Sequence, residues 1–294
     1  MPFIGEIAAV VTAFLWAGTS IAFTEASIRV GSLVVNITRM VFAAIYLTIT
    51  ILLFNLDTGL SWNQIYYLSL SGLIGLVFGD GFLFRAFKEI GARLSMLLMA
   101  MVPAISTFLA FVFLGEVISL FAVIGIATTT IGVAIVVLQR KEKGTRSIHK
   151  AGLTYGILGA VGQAVGLIFA KYAFNESEVN GFVATLIRIV PSIIVLYPVT
   201  FFIKSAKRPF KILFNNRKGL IYTAIGSVIG PFLGITGSLI AISYTYVGIA
   251  STLMATVPII MLPLVKFYYK EELSNMSIVG AFMAVAGVAI LFLT

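Results

Sequence analysis

Long apolar runs separated by short polar breaks make up most of this chain. Each run is about 20 residues long, which is the length that a helix needs to cross about 30 Å of hydrocarbon. Charged and turn residues divide the chain into ten predicted spans. The spans are 5–24, 34–54, 64–84, 94–114, 119–138, 152–172, 182–202, 219–240, 249–267 and 275–293. The pattern therefore predicts an all-α integral membrane protein with ten transmembrane helices.

Composition and charge agree with this fold class. The 294 residues are 60% hydrophobic and 11% charged, against about 25% charged in soluble proteins, and mean hydropathy is +1.09. The chain has no Cys and one His, which argues against thiol chemistry, zinc and haem, so we expect no cofactor and no metal. The net charge of +9 lies in short breaks, which favours the lipid bilayer over nucleic acid as partner.

The two halves of the chain resemble each other. The basic break from Gln139 to Lys150 separates residues 1–145 from residues 146–294, and each part contains five predicted spans. Four residues of the first half each precede an identical residue by 155 positions: Pro103 and Pro258, Glu116 and Glu271, Gly125 and Gly280, Gly132 and Gly287. Further pairs keep the same order with offsets of 147, 149 and 157: Gly5 and Gly152, Arg39 and Arg188, Gly91 and Gly248. We interpret the halves as an internal repeat.

A repeat with an odd number of spans enters the membrane from opposite faces in its two copies. Five spans in each half therefore predict two inverted five-helix repeats, related by a pseudo-two-fold axis in the membrane plane. Many secondary transporters have this architecture and hold their solute between the copies near the midplane. The symmetry predicts a transporter that works by alternating access.

Ten predicted helices in two halves resemble the EamA-type ten-span branch of the drug/metabolite transporter superfamily. The resemblance rests on LLMAMVPAISTFLAFVFLGE (97–116), on STLMATVPIIMLPLVKFYYKEE (251–272), and on an early Arg in the second span of each half, Arg39 and Arg188. It implies EamA-like repeats at 1–145 and 146–294, with a cavity lined mainly by the first, third and fourth spans of each half. It also implies a small organic solute, with amino acids as the leading class and export slightly favoured over import.

The distribution of Lys and Arg predicts the orientation. The loops after the odd-numbered spans carry 17 of the 20 Lys and Arg, so we expect this side to be cytoplasmic and both termini to face outward. The expected location is the inner (plasma) membrane of a prokaryotic cell. Glycine-rich faces in the sixth and eighth spans predict close helix packing, and the sequence leaves monomer and homodimer open.

Asp80 is the acid that lies furthest inside a predicted span, where an ionised side chain costs about 2.5–3.5 kcal/mol. The functional interpretation is a site for proton coupling or for a substrate amine. The structural interpretation is an ion pair with Arg85 or Lys88 on the same helix.

Two pairs of repeated charges have similar alternatives. Arg39 and Arg188 can extend to lipid headgroups, or they can bind an anion or join an inter-helix network. Glu116 and Glu271 lie just before a following span, where a carboxylate can cap a helix or lock a hairpin, or serve as a gate.

Mid-span residues supply the remaining candidates. Pro103 and Pro258 remove a backbone hydrogen bond, and we expect them to kink their helices. The candidates for the substrate cavity are polar, aromatic or Met side chains at mid-span, and Trp16 and Gln163 correspond across the repeat. They are Trp16, Thr19, Ser20, Asp80, Met99, Gln163, Tyr244, Thr252 and Met254.

The sequence therefore predicts a secondary transporter for a small organic metabolite, with uniport, exchange and proton coupling left open. Small multidrug members of the superfamily use a mid-membrane Glu in the first span, whereas residues 7–24 here carry no charge. The alternatives are a lipid scramblase or a structural membrane subunit. An intramembrane enzyme is disfavoured because the sequence has no HExxH pair and no Ser-His-Asp set.

Overall fold

The computed structural model describes residues 3–139, 150–257, 259–260 and 274–292, and every regular element in these ranges is helical. The first half contains α1 (Ile4–Val30), α2 (Ser32–Leu53), α3 (Trp62–Gly72), α4 (Asp80–Met99), α5 (Val102–Leu114) and α6 (Leu120–Gln139). The second half contains α7 (Lys150–Glu176), α8 (Gly181–Phe202), α9 (Pro209–Phe214), α10 (Arg217–Ser227), α11 (Leu233–Tyr244), α12 (Val247–Met254) and α13 (Asn275–Phe292). The prediction of an all-helical chain is confirmed for these residues.

Helix length and hydropathy identify an integral membrane protein. Within the described ranges, six helical segments are long and apolar enough to cross a membrane: Ile4–Val30, Ser32–Leu53, Trp62–Gly91, Lys150–Glu176, Gly181–Phe202 and Arg217–Tyr244. Shorter apolar helices cover Val102–Leu114, Leu120–Ile135 and Ile278–Phe292. The first three segments of each half thus have membrane length, and the other predicted spans contain shorter helices.

The third span of each half contains a π-helical segment. Leu73–Gly79 joins α3 to α4, and Val228–Phe232 joins α10 to α11. The two segments begin 155 residues apart, so they occupy the same place in the repeat. Because π-helical turns widen the backbone and redirect side chains, they occur frequently at functional sites.

The fourth span is interrupted rather than kinked. Helix α4 is broken at Gly91, whose φ of 77° favours glycine, and a turn at Ala100 and Met101 separates α4 from α5. Pro103 lies in the first turn of α5, where its missing N–H costs no hydrogen bond, so the prediction of a kink within one helix is wrong. Its counterpart Pro258 lies outside the described residues.

Equivalent helices of the two halves pack against each other in antiparallel directions. A Cβ atom added to Gly132 of α6 would lie 2.7 Å from the carbonyl oxygen of Gly280 in α13, and one added to Gly125 would lie 3.1 Å from that of Gly287. Helix α1 packs on α10 and α11 of the other half, and α7 packs correspondingly on α3 and α4. This exchange of partners is the arrangement that an inverted repeat produces.

Candidate functional site

A cavity lies between the two halves. Its volume is about 130 Å³, and residues from α1, α2, α4, α5, α7, α8, α11 and α12 line it. Its apolar walls contain Trp16, Phe23, Leu83, Phe84, Phe87, Met96, Met99 and Met254. Its polar groups include Thr19, Ser20, Arg39, Asp80, Gln163, Arg188, Ser238 and Ser251. Both π-helical segments contribute to the lining, through Leu76 and Gly230.

Most of the predicted cavity residues lie at this site. Trp16, Thr19, Ser20, Asp80, Met99, Gln163 and Met254 line the cavity. Two others lie elsewhere. Tyr244 is exposed at the C-terminal end of α11, and Thr252 is buried with its hydroxyl donating to the Gly248 carbonyl at 2.7 Å. On α12 the lining positions are instead Ser251 and Met254.

Asp80 is the centre of a buried polar network that joins three helices. Its carboxylate forms an ion pair with Arg39 of α2 and accepts a hydrogen bond from Gln163 of α7. Gln163 Nε2 also donates to the Gly75 carbonyl at 3.1 Å. The predicted pairing with Arg85 or Lys88 is wrong in its partner, because the carboxylate faces α2 and α7.

Arg39 has an ion pair, hydrogen bonds and aromatic neighbours inside the protein. Its Nε and Nη2 donate to Asn36 Oδ1 at 3.0 and 2.8 Å, in addition to the ion pair with Asp80. Its guanidinium carbon lies 4.8 Å from the ring centroid of Phe84 and 5.4 Å from that of Phe23, within range of cation–π attraction. Only 4% of Arg39 is exposed, so it does not extend to the lipid headgroups.

Arg188, the counterpart of Arg39 in the second half, is equally buried and differently partnered. Only 2% of it is exposed, so it does not extend to lipid headgroups either. Among the described residues its Nε has no hydrogen-bond partner, although the charge of Asp80 acts on it. The guanidinium lies against Gly75, since a Cβ atom added there would lie 3.0 Å from Arg188 Nη2.

The repeat explains why the two arginines differ. In the second half, Ile235 stands where the 155-residue offset would place an equivalent of Asp80. Trp16 stands in place of Gln163, and Thr185 in place of Asn36. The Thr185 hydroxyl is already bonded to the Gly181 carbonyl at 2.7 Å and to Thr236 at 3.0 Å. The partners of Arg39 are therefore not reproduced around Arg188.

One hydrogen bond between the halves lies at the end of the helices opposite the basic loops, and further bonds there join helices of the second half. At the ends of the spans opposite the basic loops, Glu116 Oε2 accepts from the Val247 backbone N–H at 2.9 Å, which caps α12. Lys171 Nζ donates to the carbonyls of Ile242 and Thr245 at 2.6 and 3.1 Å, at the C-terminal end of α11. Burial raises the pKa of Glu116, although the Val247 N–H and Lys171 act in the opposite direction. The sequence predicted that Glu116 caps the helix that follows it, whereas the observed contact is with the start of α12 in the other half; Glu271 lies outside the described residues.

Sequence reasoning missed several lining residues that lie one turn from those it selected. Phe23 follows Thr19 by four residues, and Phe84 and Phe87 follow Asp80 by four and seven. Helical spacing places such residues on one face, and this signal was available in the sequence. For metals, no group of three His, Asp or Glu side chains that could hold an ion is present in the ranges that the structure describes.

Comparison with known proteins agrees with the two-half fold. The family model described as "EamA-like transporter family" matches residues 3–138 and 150–293, once for each half. A solved structure described as "Crystal structure of protein" has a TM-score of 0.78 with this chain, covering 99% of it and 96% of the other chain. Because the two sequences are only 14% identical, this likeness shows a shared fold alone. Among curated proteins, none matches this chain. The two family matches cover nearly all of the sequence, and the chain therefore belongs to the EamA-like transporter family, in the drug/metabolite transporter superfamily.

Proposed function

We propose that this transporter moves a small organic metabolite, an amino acid or similar solute, by alternating access through the cavity between its halves. The observation that carries the proposal is the position of the cavity, which is lined by equivalent helices of both halves. A site at the interface of two inverted repeats becomes accessible from either side when the repeats exchange conformations.

The described conformation supports an inward-facing state. The lining positions on α1 extend from Trp16 to Phe23, toward the end that carries Arg29, and on α4 they extend from Asp80 to Phe87, toward the basic loop. At the opposite ends, the contact of Glu116 with Val247 joins the two halves, and Lys171 ties α7 to the end of α11 within the second half. If the basic loops are cytoplasmic, the cavity lies nearer the cytoplasm, which suits the binding of a solute for export.

The buried charges also bear on the driving force. A carboxylate that already accepts bonds from Arg39 and Gln163 is well supplied with donors, which favours a structural role for Asp80. Proton coupling through Asp80 stays a prediction. Full pH-gradient-driven flux in Asp80→Asn would contradict it.

Flux through purified protein in liposomes tests the proposal. We expect uptake of radiolabelled L-leucine that saturates, is stimulated by unlabelled L-leucine inside the vesicles, and is absent from protein-free liposomes. Fluorescent phospholipid redistribution, measured in the same vesicles, tests the alternative of a scramblase. Lipid redistribution without solute flux across a panel of amino acids, sugars, nucleosides and amines would contradict the proposed function.

A further inference from the structure

The cavity carries an excess positive charge. Within the part of the chain that the structure describes, its charged lining residues are Arg39, Asp80 and Arg188, and Arg39 and Asp80 neutralise each other in the ion pair. We propose that Arg188 binds the carboxylate of the transported solute, so that the cavity accepts small carboxylates with an apolar body. This inference rests on the proposed function and names the solute's charge and its binding group.

Burial and bonding of Arg188 support this assignment. The side chain lines the cavity, is 98% buried, and has a donor, Nε, without a partner among the described residues. A buried cation that lacks a full set of partners is costly, and an anionic ligand lowers that cost. The planar guanidinium presents its N–H donors in a fork that matches the two oxygens of a carboxylate.

A helix end adds to the positive potential of the cavity. The fourth span of the first half is interrupted, and α5 begins at Val102, which lines the cavity. The N-terminus of a helix carries the positive end of its dipole. In transporters with interrupted helices, such ends point toward anionic groups of the solute. The break at Ala100 and Met101 thus places the positive end of the α5 dipole at the cavity, where it would favour an anionic solute.

The remaining lining defines the body of the solute. Trp16, Phe84, Phe87, Met99 and Met254 offer aromatic and flexible apolar surface, which suits an aliphatic or aromatic side chain. The carboxylate of Asp80 already pairs with Arg39 and accepts a hydrogen bond from Gln163. It is therefore not available to pair with an ammonium group of the solute. A monocarboxylate therefore fits the polar groups at least as well as an amino acid does, because the two share the group that Arg188 recognises.

Four probes that share the same isobutyl group separate these chemistries. They are 4-methyl-2-oxopentanoate, L-leucine, L-leucinamide and 3-methylbutylamine, of which only the first two carry a carboxylate. Binding to purified protein in detergent is measured as the rise in unfolding temperature across a concentration series, because a ligand stabilises the state that binds it. The variant is Arg188→Gln, and the matched control is Arg85→Gln, which removes an exposed Arg outside the cavity.

We expect the two carboxylates to stabilise the wild type and Arg85→Gln, and L-leucinamide and 3-methylbutylamine to have little effect. Arg188→Gln should weaken carboxylate binding by about 10- to 100-fold, the value of one charge-assisted hydrogen-bonded pair. The relative response to the oxoacid and to L-leucine distinguishes a monoanionic from a zwitterionic solute. If Arg188→Gln does not fold, Arg188→Lys replaces it, and about tenfold weaker binding is expected because the fork is lost.

Three results would overturn the inference. The first is that neither carboxylate stabilises the wild type. The second is that Arg188→Gln, or Arg188→Lys in its place, binds the carboxylates as tightly as the wild type. The third is that the variant loses binding of all four probes equally. The last result would make Arg188 a second counter-ion of Asp80 with a structural role only. Carboxylate binding that depends on Arg188, without solute flux in liposomes, would contradict the proposed transport and leave this binding site standing. Solute flux that is unchanged in Arg188→Gln would contradict this site and leave transport standing.

Discussion

The two halves of this transporter place an arginine at the same position in the repeat and surround it differently. Arg39 has an ion pair, two hydrogen bonds to Asn36 Oδ1 and two aromatic neighbours. Arg188 is as deeply buried, yet Ile235 stands where an acid would be its partner. An inverted repeat duplicates the backbone, and substitutions in one copy then leave a charge without its partner. Under our proposal, that difference gives an otherwise symmetrical interface a binding group for a carboxylate.

Removal of Asp80 is the change with the largest expected effect on this comparison. Asp80→Asn leaves Arg39 buried without its counter-ion, so we expect the free energy of unfolding to fall by about 3–5 kcal/mol. The measurement is unfolding of the purified protein in mixed micelles. The double variant Asp80→Asn with Arg39→Met removes both charges and should recover most of the loss. If the double variant lost as much free energy of unfolding as the sum of the losses in the two single variants, the two charges would not be coupled.

The two arginines themselves give the next largest contrast. Arg39→Met leaves Asp80 buried without its cation, whereas Arg188→Met removes a charge that has no carboxylate of its own. We therefore expect Arg188→Met to be less destabilising by at least about 2 kcal/mol. Unfolding of both variants in the same micelles checks this. Equal losses would mean that Arg188 has partners as strong as those of Arg39.

Close packing of α7 against Gly79, the last residue of the π-helical segment before α4, should be sensitive to one methyl group. A Cβ atom added to Gly162 would lie 2.6 Å from Gly79 Cα and 2.9 Å from Gly79 N, both backbone atoms. Gly162→Ala should therefore cost about 1–3 kcal/mol through overpacking beside the network of Asp80. Gly81→Ala is the matched control, because a Cβ atom there meets nothing within 4 Å. Similar stability of the two variants would mean that α7 and the π-helical segment separate easily.

The closure at Glu116 gives the smallest expected effect, and it depends on pH. Burial raises the pKa of Glu116 in the closed conformation above its ordinary value of 4.5. The closed state therefore binds the proton more tightly than the solvated state, and closure weakens as pH rises from about 4.5 through the raised pKa. Glu116→Gln keeps an acceptor for the Val247 N–H and should remove this dependence. Reactivity of single cysteines at the closed end, measured against pH, checks it, and the same pH slope in both proteins would contradict it.

Much of the fold was predictable because apolar runs can be located directly in the sequence and the internal repeat divides the chain into two halves. The ranges of α2 and α8 agree with two predicted spans to within two residues, whereas α1 and α7 continue six and four residues beyond theirs. The breaks at Gly91 and at Ala100–Met101 were not predicted, because composition alone does not distinguish a continuous apolar helix from an interrupted one.

The pairing inside the site was less predictable. Asp80 and Arg39 were both selected as charges inside predicted spans, but a partner for Asp80 was predicted on its own helix and Arg39 was left with lipid headgroups as one alternative. Contacts between residues 41 positions apart depend on how α2 packs beside α4, which single-sequence periodicity does not encode. The presence of opposite charges in neighbouring predicted spans was the sequence signal that could have predicted this ion pair. The difference between Arg39 and Arg188 becomes visible only when the equivalents of Asp80 and Gln163 are located in the second half.

Access to the cavity from both sides of the membrane is the central claim, and the absence of cysteine from the chain allows a direct measurement. Ser20→Cys places one thiol in the cavity lining, and reaction with impermeant (2-sulfonatoethyl) methanethiosulfonate is followed from each face of oriented vesicles. The account predicts reaction from the face with the basic loops in the absence of solute. It also predicts added reactivity from the opposite face during exchange of a transported solute. Reactivity confined to one face throughout measurable exchange would contradict alternating access through this cavity.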